Sequence, residues 1–409
     1  LARVAPALLV GDVARARRLG DDSRNRLYTA SEFLASADDA AKTAPTEAAD
    51  GEGVAVQLFT SGTTGAPKAA ILRHSNLLSY ILGSVEFGAA GEDEAALVSV
   101  PPYHIAGISA LMSSVYALRR MALLPAFDPD AWLAVASAER VTNAFLVPTM
   151  LTRIIDRLEK GPPRDLSSLR AVAYGGGRMP PEVIRKALDF FPTVGFANAY
   201  GLTETSSTIA LLGPEDHRRT ATSDDPAVRA RLESVGRALP SVEIEIRDES
   251  GRALGPGERG EIYVRGPQVS GEYREKSALD AEGWFPTRDA GWLDAEGYLF
   301  LSGRSDDVIV RGGENISPGE IEDVLRSHPA IADAAVVAMP SMEWGEAVGA
   351  ALVLRDGATR PDDSDLRDLV RARLRSSRVP ERILYVDALP YNEMGKLLRR
   401  VVKARFAAP

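Results

Sequence analysis

The chain contains no cysteine, which excludes thiol nucleophiles, disulfides and thiolate-ligated metals together. Histidine is nearly as scarce. The four, His74, His104, His217 and His328, lie far apart in the sequence, so a histidine-rich metal centre is not expected. Basic excess is lacking too: 48 Lys and Arg against 57 Asp and Glu give a formal net charge of -9. That sign argues against a nucleic-acid or anionic-membrane surface. No apolar run approaches the roughly 20 residues that a membrane-spanning helix needs, and no basic, then apolar, leader is seen. These absences point to a cytoplasmic protein without integral membrane association, acting as a monomer or homodimer on small molecules. The chain begins at Leu1, so its true start is expected upstream. What remains is an ordinary globular composition, 45% hydrophobic and 26% charged over 409 residues, enough for two or more domains.

Three textures follow one another. Residues 37–53 are small, acidic and turn-prone, a loop. Val54 to Phe59 then reads as a short strand, followed by a Gly/Thr/Ser turn and a helix from about Ser75. Beyond it, apolar runs at 95–100, 144–148 and 171–174 alternate with amphipathic stretches at 130–139, 150–159 and 181–190, the pattern of a parallel, helix-covered sheet. From Val242 the runs shorten, at 242–248, 260–265 and 297–302, with Gly, Pro and Asp turns between them, which predicts a small antiparallel sheet or distorted barrel. The third texture starts near Arg304. Ser317-Pro318-Gly319-Glu320 predicts a helix to about Ser327, with Ser317 and Glu320 forming a capping box. Strands at 334–339, 349–354 and 382–386 and a helix at 364–375 complete a compact α+β unit.

The most informative stretch is Thr60-Ser61-Gly62-Thr63-Thr64-Gly65-Ala66-Pro67-Lys68. Hydroxyls and glycines directly after a strand let backbone N–H groups approach a bulky anion, and Lys68 adds a positive charge. It is not the Walker pattern, because no Gly-Lys-Ser/Thr occurs. Residue types alone leave two readings open, a phosphate cradle and a Gly/Thr turn with a solvated lysine.

The spelling resembles the phosphate loop of the adenylate-forming superfamily of acyl-CoA synthetases, peptide-synthetase adenylation domains and firefly luciferase. Three further segments are similar to the same superfamily, in the same order. They are Asn198-Ala199-Tyr200-Gly201-Leu202-Thr203-Glu204-Thr205, then Gly283 to Asp289 with Gly303 to Asp307, then Tyr391 to Lys396. The resemblance implies an α/β fold with two parts. Residues 1–304 would be a large N-terminal adenylation domain of helix-covered sheets plus a β-barrel-like part, shortened at its start relative to the family. Residues 305–409 would be a small mobile α+β domain turning at a hinge, Asp306. It also implies the activity, an ATP-dependent acid–thiol ligase that makes an acyl-adenylate, releases pyrophosphate and passes the acyl group to coenzyme A.

Site residues carry over on the matching positions. The loop residues Thr60, Ser61, Gly62, Thr63, Thr64, Gly65 and Lys68 would hold ATP. Glu204 would ligate Mg2+, Thr203 hold the α-phosphate, and Tyr200 stack on adenine with Asn198, Ala199 and Gly201 beside it. Asp289 would accept from the ribose hydroxyls, with Arg304 near ribose and phosphate. Where the family writes Thr-Gly-Asp this chain has Arg288, which predicts either a strained φ above zero or a different turn. Lys396 would stabilise charge as the carboxylate attacks, and Gly312 and Gly313 would line the pantetheine channel. His104 in Pro101 to Ile108 would sit near the acid carboxylate. Ala106, Gly107, Tyr174, Gly175, Gly176 and Thr205 would form the acyl pocket, with Gly176 and Gly177 along the adenine. Taken singly, most of these residues read better as core or solvated side chains. No Asp lies between Pro101 and Met112 to pair with an ammonium, so an α-amino acid is not the expected substrate. Two alternatives stand beside coenzyme A: loading of a carrier-protein phosphopantetheine, and a truncated relative that only binds nucleotide or acyl groups.

Overall fold

The computed structural model describes residues 8–11, 26–29, 50–60, 68–304, 307–312, 314–392, 395 and 397–407. They divide into two compact units, Leu1–Asp50 and Gly51–Pro409. In the first, strands Leu8–Gly11 and Arg26–Thr29 pair in parallel.

The second unit is built around a seven-stranded sheet. In spatial order its strands are Arg237–Ala238, Ser207–Leu212, Gly195–Leu202, Ala171–Gly175, Asn143–Leu146, Ala95–Val98 and Arg120–Leu123. The last five run parallel, as the alternating apolar runs predict, and the first two add an antiparallel edge. Parallel strands are buried on both faces and must be apolar throughout. Leu97, Leu146, Val172 and Phe196 are accordingly almost fully buried, packed with Trp132, Leu151, Ile154 and Ile184 from the covering helices. The helix Pro181–Phe190 has the predicted bounds, and Pro148–Lys160 begins with proline in its first turn, where the missing N–H costs nothing. Each fully buried Leu or Ile contributes about 1.5–3 kcal/mol. The platform is therefore held by strand–helix burial more than by helix propensity.

Two four-stranded sheets adjoin it. One is antiparallel, with strands Glu243–Arg247, Gly260–Arg265, Phe285–Leu293 and Leu299–Arg304. Here the expected barrel-like part takes the form of a sheet. The other contains the hairpin of Val54–Thr60 and Lys68–Arg73, extended by Glu272–Tyr273 and Lys276–Ser277. Its strand Lys68–Arg73 is absent from the sequence reading.

The C-terminal residues form a five-stranded sheet. Its two long strands, Ile331–Ser341 and Gly345–Leu354, are covered on one face by helices Pro318–Arg326 and Asp363–Arg373 and on the other by Arg399–Ala407. The predicted capping box is not formed. The Ser317 hydroxyl instead donates to the Ser302 carbonyl, and Glu320 is taken by Arg259 at 2.8 Å and Arg378 at 3.4 Å. A strong cationic partner outcompetes a backbone N–H for the carboxylate. Among the described residues no helix is long and apolar enough to cross a membrane.

Candidate active site

In open α/β sheets, ligands gather at the carboxyl ends of the parallel strands. Three of the sequence-predicted segments lie there, with the turn Val147-Pro148-Thr149 between them. Strand Ala95–Val98 leads to His104, Asn143–Leu146 to Val147-Pro148-Thr149, Ala171–Gly175 to the glycines, and Gly195–Leu202 to Thr203 and Glu204. The phosphate-loop strands meet in register, Thr60 opposite Lys68. Ser61, Gly62, Thr63, Thr64 and Gly65 lie outside the described residues.

Two clusters form from single predicted residues. In the first, Tyr200 donates its hydroxyl to Asp289 Oδ2 at 2.7 Å, and Arg304 Nη1 lies 3.3 Å from Asp289 Oδ1. Asp289 and Arg304 also face each other across paired strands. Burial and the Asp289 carboxylate push the Tyr200 phenol well above its ordinary pKa, so it remains a donor. The Asp289 side chain keeps 13% exposure.

In the second cluster Glu204 is buried, 7% exposed. Its Oε1 accepts from the Tyr273 hydroxyl at 2.7 Å. Its own carbonyl accepts from Ser270 and Gly271 N–H at 2.9 and 3.1 Å. Lys68 Nζ lies 5.5 Å from the centroid of the Tyr273 ring. The positive charges of Arg304 and Arg288 act on the Tyr273 phenol, so the two clusters share one electrostatic neighbourhood. Tyr273 is absent from the sequence reading; a lone tyrosine after a Ser-Gly turn carries no signal of its own.

The turn that carries Thr203 and Glu204 is tightly constrained. Ser206 and Ser207 have φ of 55° and 110°, the left-handed side that few L-residues occupy. The Thr205 hydroxyl accepts from Leu202 N–H at 2.9 Å and lies 2.8 Å from the Ser207 carbonyl. Gln268 Nε2 donates to the Thr205 and Thr208 carbonyls at 3.1 and 2.7 Å. A Cβ on Gly201 would lie 1.8 Å from the Ser207 carbonyl oxygen, so only glycine lets the strand fold back here. Thr205 is fully buried, and its hydroxyl serves this turn.

Tyr174 also differs from its sequence reading. It is 0% exposed, with its hydroxyl 2.8 Å from His217 Nε2. His217 Nδ1 lies 2.8 Å from the Gly213 carbonyl, so Nδ1 carries the proton and Nε2 accepts from the tyrosine. Burial lowers the His217 pKa, which keeps it neutral. The Tyr174 side chain is thus a core group, and Gly176 and Gly177 are the exposed part of that segment. Asn198 Nδ2 donates to the Ser234 carbonyl at 3.1 Å. His104 precedes helix Ile105–Ala117 and is partly buried, with its ring 5.2 Å from that of Tyr103. Gly107 lets this helix sit on the Pro101 carbonyl, which a Cβ would approach to 2.4 Å; Ala106 packs against the central core. A separate cleft of about 260 Å³ at Arg231, Trp292 and Phe300 shares no residue with either cluster.

The C-terminal residues reach the same edge. A Cβ on Gly395 would lie 2.2 Å from Thr149 Oγ1, and Cβ atoms on Gly176 and Gly177 would lie 3.6 Å from Val147 and Pro148. Gly395 therefore rests beside the turn that the glycines flank. Lys396, Asp306 and Gly313 lie outside the described residues; Gly312 has φ of 56° and donates its N–H to the Trp344 carbonyl at 2.9 Å. Arg178 pairs with Asp323 in helix Pro318–Arg326, across which Gly319 leaves space for the guanidinium.

Arg288 has φ of 64°, the strain anticipated for the residue in the place of glycine. Its N–H donates to Glu261 Oε1 at 3.2 Å while its side chain is 63% exposed. Replacing it with glycine removes about 1 kcal/mol of left-handed strain and loses only a weak surface pair. R288G is expected to raise the denaturant midpoint; an unchanged or lower midpoint would show that the turn carries no strain.

Residues 7–274 match the family described as AMP-binding enzyme, and residues 320–396 match the AMP-binding enzyme C-terminal domain. The chain belongs to the AMP-binding enzyme family. It is an AMP-forming acyl-CoA synthetase by class. It is 36% identical over 364 residues to a 2-succinylbenzoate–CoA ligase of Geobacillus kaustophilus, covering 87% of this chain and 70% of that protein. It is 35% identical over 350 residues to an indoleacetate–CoA ligase of Aromatoleum aromaticum, covering 84% of this chain and 66% of that protein. The solved o-succinylbenzoate CoA synthetase of Bacillus subtilis superposes with a TM-score of 0.79 at 30% identity, covering 97% of this chain and 78% of its own. That structure holds an acyl-adenylate, and another of the same enzyme holds ATP and a magnesium ion.

Magnesium takes oxygen ligands and keeps several waters. Glu204 fits that demand: Tyr273 engages Oε1, and among the described residues no side chain or N–H bonds Oε2. Among those residues no group of three or more His, Asp or Glu gathers to hold a metal, so nucleotide oxygens and water would complete the shell. When bound, the ion would neutralise phosphate charge.

Proposed function

We propose that this ligase activates an aromatic or arylalkanoic acid lacking an α-amino group and transfers it to coenzyme A in the cytoplasm. The observation that carries the reading is the pair of clusters, Lys68 with Tyr273 and Glu204 and Tyr200 with Asp289 and Arg304, joined to the sheet at the C-terminal end of strand Gly195–Leu202 through Tyr200 and Glu204. In the first half-reaction a carboxylate oxygen attacks the α-phosphorus of ATP and pyrophosphate leaves. Asp289 accepts from the ribose hydroxyls, Arg304 lies beside them, and Tyr200 packs the base. Lys68 and the phosphate loop hold the triphosphate, Thr203 the α-phosphate and Glu204 the magnesium. No covalent nucleophile is required, in keeping with a chain without cysteine; the work is positioning and charge stabilisation.

In the second half-reaction a thiol sulfur attacks the acyl carbon, AMP leaves and the thiol proton passes to solvent or base. The residues after Asp306 turn as a body, so that Gly312 and Gly313 replace Lys396 beside the adenylate. Docking of the C-terminal residues through Arg178–Asp323, Arg259–Glu320 and the Gly395–Thr149 contact supports the adenylating arrangement. The acid class rests on the small residues Ala106, Gly107, Gly175 and Gly176, on His104 nearby, on the lack of an Asp in 101–112, and on the aromatic acids named for the relatives.

The test is product analysis by mass spectrometry, with ATP, Mg2+ and a panel of aryl, arylalkanoic, alkanoic and amino acids, each with coenzyme A or with a phosphopantetheinylated carrier protein. The expected product is an aryl- or arylalkanoyl-CoA. Acyl transfer to the carrier protein alone, or preference for an amino acid, would overturn the reading.

A further inference from the structure

One side chain joins three parts of the site that the sequence leaves separate. Tyr273 lies on the short strand Glu272–Tyr273, which pairs antiparallel with the strand leaving the phosphate loop, Tyr273 opposite Ala70. The strand is clamped at its other residue. Glu272 receives Arg73 Nε and Nη2 at 2.8 and 2.9 Å, a two-pronged ion pair, and Ser270 Oγ donates to the Ile71 carbonyl. From that fixed position the phenol donates to Glu204 Oε1 at 2.7 Å. The same ring lies under the Lys68 ammonium, 5.5 Å from its centroid, within the range of a cation–π contact. Ser270 and Gly271, just before Tyr273, also donate to the Glu204 carbonyl. Glu204 is thus held at both its side chain and its main chain by one four-residue segment, Ser270 to Tyr273.

We infer that Tyr273 is a positioning residue that fixes the Glu204 carboxylate for magnesium and couples it to Lys68, so that the metal ligand and the phosphate-loop cation are set together. This rests on the proposed role of Glu204 as the magnesium ligand. A carboxylate that must meet an octahedral ion gains from losing its rotational freedom beforehand. The phenol O–H donates to the carboxylate from a strand that is itself clamped. Occupying Oε1 also directs the ion to Oε2. The ring beneath Lys68 restrains a long side chain that is otherwise exposed.

The experiment measures ATP binding by calorimetry without acid, so that no turnover occurs, across a magnesium titration and in EDTA. Tyr273→Phe keeps the ring and loses the hydroxyl. It is expected to raise the magnesium concentration for half-maximal tightening of ATP by about 10- to 100-fold, the usual effect of losing a partner that orients a metal ligand. Its ATP affinity in EDTA should stay within about twofold of the parent, since a cation–π contact needs only the ring. Tyr273→Leu should weaken binding in EDTA as well, because Lys68 loses its platform. Glu204→Gln should abolish the magnesium response. If Glu204→Gln loses the response while Tyr273→Phe keeps the parent curve, the positioning role is wrong and the site reading stands. If Glu204→Gln keeps the parent curve, the assignment of Glu204 fails and the inference fails with it. Equal unfolding midpoints for parent and Tyr273→Phe establish that a shifted curve is not a folding defect.

Discussion

Replacing Lys396 with alanine is expected to slow acid-dependent adenylation by about 10²- to 10³-fold, the effect of removing one preorganised charge stabiliser from a transition state. Thioester formation from a supplied acyl-adenylate should fall less than about tenfold, because the lysine would act only while the carboxylate attacks the α-phosphorus. The neighbouring geometry supports this division. Gly395, one residue before the lysine, has φ of 66° and lies against Thr149, where even a Cβ would come within 2.2 Å of the hydroxyl oxygen. Thr149 directly follows Val147 and Pro148, which Gly176 and Gly177 flank, so Gly395 is seated at the predicted nucleotide edge. The two half-reactions are separable by pyrophosphate exchange and by single-turnover thiolysis of synthetic acyl-adenylate. Equal loss in both would contradict the assigned role.

The second large effect is on stability. Glu322 is 4% exposed and pairs with Arg399, whose guanidinium also donates to the Val336 carbonyl at 2.7 Å and lies 3.4 Å from Asp307. Burial alone would raise the Glu322 pKa, but Arg399 overrides it and the carboxyl titrates below its ordinary value. Removing Arg399 strands that buried charge, at a cost of about 3 kcal/mol, because breaking one side of a buried pair leaves the other unpaired. The sign with pH follows. A group whose folded pKa is depressed stabilises the fold above its unfolded value, about 4.3 for glutamate. That contribution is lost as pH falls through the folded value. Arg399→Leu should therefore be strongly destabilised at pH 7 in urea unfolding, with a deficit that narrows as the pH falls towards 4. Glu322→Leu/Arg399→Leu together should recover much of the loss. A deficit below about 1 kcal/mol at pH 7 would mean the pair is not the anchor described.

The parallel sheet was readable because strands buried on both faces must be apolar throughout; the runs at 144–148 and 171–174 lie within one or two residues of the observed strands. Helix Pro181–Phe190 and strand Gly260–Arg265 have the predicted ends, since proline and glycine punctuate both. Strand Lys68–Arg73 was missed: its four apolar residues, Ala69 to Leu72, have no period long enough to identify it. Ser317 had every local mark of a cap, yet a carbonyl from a distant strand took its hydroxyl. The strain at Arg288 was legible because backbone handedness is a one-residue property. The core placement of Tyr174 and the structural duty of Thr205 were not, because both depend on neighbours distant in sequence or on a turn whose φ values no single residue reveals. Tyr273 is the clearest case, since its meaning lies wholly in Glu204, 69 residues away.

The central claim is that these residues form an acid-activating, AMP-forming site. ATP–pyrophosphate exchange, measured with Mg2+ and a broad panel of carboxylic acids on a chain that includes any residues preceding Leu1, tests it most directly. Exchange is expected to depend on the acid, to be greatest with an aryl or arylalkanoic acid, and to be lost in Lys396→Ala. Exchange that no acid in the panel supports would contradict the claim.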